Sequence, residues 1–252
     1  MQLQGEQVMN IRIKDTREEV GKAAAAVAAK LIRQTIAAEK DANVIFATGA
    51  SQFEFLNHLT PVDLAWEKVR MFHLDEYIGL PITHPASFRK YLKERLLDET
   101  AIQEFYLIDG EADPEQELEK LNGLLHRFPP DIACVGIGEN GHLAFNDPPA
   151  DFETDDPYIV VDLDDRCKQQ QVGEGWLEGL EYVPDRAISM SIKQIMKATH
   201  IICTVPGTVK ADAVHNCLDG PVTPDCPASI LQEHPDCTII LDRESAAKLD
   251  KK

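Results

Sequence analysis

The chain lacks the basic excess that a nucleic-acid or acidic-membrane surface demands: its 252 residues carry 25 Lys and Arg against 43 Asp and Glu, a formal net charge of −18. Sequence-independent binding to such polyanions is excluded. One small anion is not, because a few cations and helix N-termini can hold it. No apolar run approaches bilayer-spanning length, and the N-terminus, with Glu6 and no hydrophobic segment, does not read as a signal peptide. A soluble, cytoplasmic protein is expected. The six cysteines, at 134, 167, 203, 217, 226 and 237, contain no CxxC pair, and Cys134 and Cys203 lie in apolar runs. Reduced core thiols are therefore expected, rather than a disulfide framework or a zinc site. Proline/glycine/serine tracts, internal repeats and low-complexity linkers are absent too, so residues 1–252 read as a single large α/β domain. The full Walker and dinucleotide fingerprints are also missing, and neither ATP nor NAD is expected.

What is present is an alternation of strand and helix patterns, which predicts an α/β fold: an open, doubly wound, mostly parallel sheet with helices on both faces, Rossmann-like. Thr16-Arg-Glu-Glu19 is a capping box, and it opens a helix that runs through Ala23 to Ala29 to about Glu39. Apolar runs at Val44–Ala47, Val69–Leu74, Ile132–Val135 and His200–Val205 predict buried strands. Further strands are expected at Phe105–Ile108, Tyr158–Val161, Ala187–Ser191 and Cys237–Leu241, with helices near Ser87–Leu97, Pro114–Leu125, Val209–Leu218 and Ala228–Gln232.

Four of these strands run into polar tips. The most informative is Gly136-Ile-Gly-Glu-Asn-Gly-His-Leu-Ala-Phe-Asn-Asp147, where a glycine-rich turn carries His142 and Asp147 five residues apart. Its glycines, Gly138 and Gly141 among them, let the backbone turn sharply and approach a ligand. A histidine held there is suited to proton transfer near neutral pH. The other tips are Thr48-Gly49-Ala50-Ser51, Asp75-Glu76-Tyr77 and Pro206-Gly-Thr-Val-Lys210. Ligands of open parallel sheets bind outside the carboxyl ends of the strands, where the winding reverses, so the tips can converge on one pocket. Each has a plainer reading: residues 48–51 as an ordinary turn with Ser51 as helix cap, Asp75 and Glu76 as a solvated strand end, Lys210 as an exposed side chain. A cation in the first turn of a helix is disfavoured unless an anion lies nearby, which argues for a phosphate beside Lys210.

Together these motifs resemble the glucosamine-6-phosphate deaminase family, within a group of folds that also holds the 6-phosphogluconolactonases. The resemblance runs through residues 48–51, Leu74-Asp-Glu-Tyr-Ile-Gly-Leu80, His84-Pro-Ala-Ser87, 136–147, Gly207-Thr-Val-Lys-Ala211 and Pro227-Ala-Ser-Ile-Leu-Gln232. Leu143-Ala-Phe-Asn146 points to the deaminase branch, since the lactonase branch typically follows its Gly-His with Thr-Ala-Ser-Leu-Phe. The resemblance implies conversion of glucosamine 6-phosphate and water to fructose 6-phosphate and ammonia, without metal or organic cofactor. In that reading His142 assists ring opening, Asp147 orients it, Asn140 orients by hydrogen bonds without titrating, and Asp75 moves the proton from C2 to C1. Thr48, Gly49, Ala50, Ser51, Glu76, Gly138, Gly141 and Lys210 bind a phosphorylated amino sugar. A homo-oligomer stays open, because related enzymes occur as monomers and as hexamers.

The chain departs from the family pattern at several places. Asp147 stands where the family usually has Glu, and Ala50 and Gln52 where it shows Gly and Pro. The place of a phosphate-contacting arginine falls on Gln171, which leaves Arg166 or Lys168 as substitutes. Two other readings are carried: a sugar-phosphate lactonase, in which the histidine activates water and Asp75 is dispensable, and a noncatalytic sugar-phosphate sensor.

Overall fold

A computed structural model of the chain describes residues 9–38 and 40–250. Glu6 and Glu39 lie outside them. Seven strands form a parallel sheet: β1 (Asn10–Lys14), β2 (Ala42–Phe46), β3 (Val69–His73), β5 (Glu104–Tyr106), β6 (Ile132–Val135), β9 (His200–Val205) and β10 (Cys237–Asp242). Their spatial order is β1-β10-β9-β6-β2-β3-β5. After β2 the chain winds outward through β3 to β5, then returns to the other side of β2 and winds the opposite way through β6, β9 and β10. The reversal lies between β2 and β6.

Alternate residues of the buried strands face opposite layers. Val44, Phe46, Met71, Cys134, Ile202 and Ile240 pack under α1 (Arg17–Ala37), α2 (Phe53–Leu59) and α3 (Phe88–Leu92). Ile45, Phe72, Ala133, Val135, Ile201, Cys203 and Ile239 pack against α4 (Pro114–Arg127), α6 (Ile192–Met196) and α7 (Ala211–Leu218). Burial on both faces is why these strands read as continuous apolar runs. The capping box forms in part: Thr16 accepts from the Glu19 N–H, while Glu19 accepts from the N–H of Asp15 rather than that of Thr16. The alanine run lets α1 pack closely, and at Gly21 an added Cβ would lie 2.4 Å from the Glu54 Cβ on α2.

Two of the expected strands belong elsewhere. β7 (Tyr158–Asp162) and β8 (Arg186–Met190) pair antiparallel with each other, and β8 pairs antiparallel with β4 (Asp75–Tyr77), giving a separate three-stranded sheet in the order β4-β8-β7. Its core is Tyr77, Phe88, Phe145, Cys167 and Ala187. Apolar periodicity identifies a strand but not its partner. The segment from Ser87 to Leu97 is α3 continued by a π turn at Lys93–Leu97, and Pro227–Glu233 is 3₁₀ rather than α. The thiol expectation is corrected in part. Cys134, Cys167, Cys203 and Cys237 are free and buried, whereas Cys217 and Cys226 are bridged with their Cα atoms 5.9 Å apart. Their separation in sequence gave no spacing signal; the turn after α7 brings them together.

Candidate active site

The tips of β2, β3, β6 and β9, adjacent strands at the reversal, surround a half-open cleft. It is lined by Thr48, Gly49, Ser51, Asp75, Gly138, His142 and Lys210, joined by Gln170, Gln171 and Glu174 from the end of α5 (Asp165–Gly173).

Beyond β2 the backbone passes through Gly49 at φ 90°, a left-handed value that favours glycine. The Gln52 amide donates to Thr204 Oγ1 at 2.8 Å and to the Val135 carbonyl at 3.3 Å, so the loop is tied to the ends of β6 and β9. Gln52 thus has a local structural reason.

Asp75 opens β4, separated from the end of β3 by Leu74 alone, and is 6% exposed. Burial, reinforced by the charge of Glu76, pushes its pKa from 3.8 up to about 8. Glu76 itself points away from the cleft. Its carboxylate accepts from Ser87 Oγ (3.0 Å) and from the N–H groups of Phe88 (3.2 Å) and Arg89 (2.7 Å), and it pairs with the Arg89 guanidinium at 3.5 Å. Successive residues of a strand face opposite sides, so Asp75 and Glu76 could not both enter one pocket. The substrate-binding reading of Glu76 gives way to an anchor for the start of α3.

In the loop after β6, His142 Nδ1 lies 3.1 Å from Asp147 Oδ1. Asn140 Nδ2 donates to the same oxygen at 2.9 Å, the Asp164 N–H donates to Asp147 Oδ2 at 3.2 Å, and Asn140 Oδ1 accepts from the His142 N–H at 3.1 Å. Burial alone would raise the Asp147 pKa, but the hydrogen bond and charge of His142, with Asn140 and Asp164, hold it below its ordinary value. An ionised Asp147 only accepts, which places the imidazole proton on Nδ1 and leaves Nε2 as the free acceptor. Gly138 makes room for that ring: a Cβ there would sit 2.2 Å from Nε2. Ala144, which also lines the cleft, has φ 54°, a left-handed strain of about 1–2 kcal/mol for a residue with a Cβ.

Gly141, expected to bind substrate, faces the other way: a Cβ there would lie 3.0 Å from Cys226 Sγ and 3.2 Å from Cys217 Sγ. Lys210 ends a 3₁₀ turn, Thr208–Lys210, immediately before α7, and burial lowers its pKa while Glu174 and Glu139 partly offset the fall. Neither substitute cation lines the cleft. Lys168 pairs with Asp185 at 2.6 Å, and Arg166 borders a separate depression with Gln169 and Gln170. Gln171 is buried at the expected arginine place. Asp164 and Cys167 were not legible as neighbours of Asp147, since they come from the far side of β7. Donor atoms of His142, Asp147 and Cys167 lie within 4.8 Å of one another, a set able to hold a metal ion.

A doubly wound sheet whose switch-point cleft pairs a His–Asp dyad with a buried carboxyl of raised proton affinity defines an α/β enzyme equipped for proton transfer. The model of the family described as glucosamine-6-phosphate isomerases/6-phosphogluconolactonase matches residues 15–240, and the chain belongs to that family. It is 38% identical over 206 residues to glucosamine-6-phosphate deaminase of Streptococcus pneumoniae, covering 81% of this chain and 86% of that one. To the deaminase of Bacillus cereus it is 34% identical over 238 residues, covering 94% and 88%. Among solved structures, a monomeric glucosamine-6-phosphate deaminase superposes with a TM-score of 0.89 at 29% identity, covering 95% of this chain and all of that one. The 6-phosphogluconolactonase of Trypanosoma brucei shares the fold, with a TM-score of 0.80 at 17% identity and coverage of 96% and 99%.

Proposed function

We propose that the protein converts glucosamine 6-phosphate and water to fructose 6-phosphate and ammonia. The observation that carries this reading is Asp75: a carboxyl of raised pKa, lining the same cleft as the His142–Asp147 dyad. A base that must remove a proton from carbon benefits from a high proton affinity. In this reading His142 Nε2 takes the proton of the C1 hydroxyl and delivers it to the ring oxygen, opening the pyranose, with Asp147 supporting the imidazolium. Asp75 then moves the C2 proton to C1 through an enolamine, while the C1 carbonyl oxygen gains a proton and the amino nitrogen loses one. The resulting ketose imine adds water and expels ammonia, so the amino nitrogen leaves and the water oxygen stays as the ketone. Lys210, the amides of residues 49–51 and the Ser51 hydroxyl hold the phosphate, binding energy remote from the reacting carbons. A phosphorylated metabolite as substrate fits a cytoplasmic setting.

The test is ammonia and fructose 6-phosphate production from glucosamine 6-phosphate, in wild type and in Asp75→Asn. Equimolar products, lost by about 10³-fold or more in the variant, are expected. Turnover of 6-phosphogluconolactone that survives Asp75→Asn would replace this reading with lactone hydrolysis, which needs no carbon base.

A further inference from the structure

The loop assigned to the phosphate already carries an anion of the chain's own. Glu174 Oε2 accepts from the Ala50 N–H at 3.3 Å and from Trp176 Nε1 at 3.3 Å, and Oε1 accepts from Gln170 Nε2 at 2.9 Å. The carboxylate lies 3.6 Å from where a Gly49 Cβ would be, lines the same cleft as Lys210, and its charge acts on that lysine. The segment bearing it is held to the loop from outside. The Trp176 ring packs edge-on against Phe53 and Tyr91, with centroids 6.0 and 6.4 Å away, and the Tyr91 hydroxyl donates to the Gly49 carbonyl at 3.1 Å. From the other end, Gln170 Oε1 accepts from the Glu139 N–H of the catalytic loop at 2.9 Å.

We propose that Glu174 sets the affinity threshold of the anion subsite: it is an internal carboxylate that occupies the subsite and has to be displaced by the substrate's phosphate. A carboxylate and a phosphate dianion cannot share the Ala50 N–H and the field of Lys210, because two like charges in a poorly hydrated cleft repel strongly. Every external anion therefore binds more weakly by the same factor. A phosphate ester, with more charge and more acceptor oxygens, remains within working range, while singly charged sugar acids fall out of it. The inference rests on the phosphate subsite named under the proposed function, and it is independent of whether ammonia is released.

The experiment is calorimetric titration of the intact protein with inorganic phosphate, comparing wild type, Glu174→Gln and Lys210→Met. Glutamine has the same shape and keeps an acceptor oxygen for Ala50, so it removes chiefly the charge. Phosphate should bind Glu174→Gln about tenfold more tightly than wild type, and Lys210→Met should weaken binding. KM for the phosphorylated substrate should fall in Glu174→Gln by a similar factor. Equal or weaker phosphate binding in Glu174→Gln would overturn the proposal and make Glu174 a brace of the loop. Phosphate binding by neither wild type nor Glu174→Gln would overturn it as well. Improved phosphate binding without ammonia release would keep it and discard the deaminase reading.

Discussion

Asp75 couples stability to pH in a direction that its burial dictates. An ordinary carboxyl ionises near 3.8, whereas this one holds its proton up to about 8 in the folded chain. Between those values the unfolded state releases a proton that the folded state keeps, so folding loses stability as pH rises from about 4 to 8 and no more above it. Each pKa unit corresponds to about 1.4 kcal/mol. Asp75→Asn should remove this component: thermal melts from pH 4 to 8 should decline less for the variant than for wild type, by a few kcal/mol. The same raised value predicts that kcat/KM climbs with pH along an acid limb near 8, since a base works only when ionised. Gly138 gives a second test. An added Cβ would lie only 2.2 Å from His142 Nε2, so Gly138→Ala must push the ring aside. A displacement of about 1 Å costs on the order of 100-fold in kcat/KM, which steady-state assays should find while far-UV circular dichroism stays unchanged.

At the scale of elements, the start of α3 depends on a residue that looked functional. Glu76 accepts from two of its N–H groups and partners Arg89, whose guanidinium reaches on to Asp109 at 2.6 Å and Glu111 at 3.1 Å. Glu76→Gln breaks a buried ion pair and should cost about 3–5 kcal/mol in urea unfolding. It should also shift the acid limb of Asp75 to lower pH, because one contributor to the raised pKa is gone. The buried elements were the legible ones. Ile132–Val135 and His200–Val205 fall where their apolar runs begin and end, because both faces of these strands are covered. β1 gave no signal: its sequence, Asn-Ile-Arg-Ile-Lys, lies at the edge of the sheet, with Ile11 half-buried and Ile13 exposed. β7 and β8 were legible as strands, but their membership of a second sheet was not, since pairing is a long-range choice.

At the scale of the whole molecule, a net charge of −18 repels itself throughout the folded volume. Raising the salt from about 0.01 to 0.15 M shortens the screening length from about 30 to 8 Å. The thermal midpoint should rise by about 2–4 °C, equivalent to about 1 kcal/mol, in scanning calorimetry; a fall would show that surface ion pairs outweigh the repulsion. What the residues determined by themselves were properties of local origin: buried strands from apolar runs, turns from glycine, and a candidate dyad from His142 and Asp147 five residues apart. Tertiary structure decided what depends on distance in space. It turned Glu76 and Gly141 away from the cleft, bridged Cys217 to Cys226, kept Arg166 and Lys168 out and brought Glu174 onto the Ala50 amide. These contacts arise where chain closure sets side chains from separate elements face to face, and no local pattern of residues encodes which of them will meet.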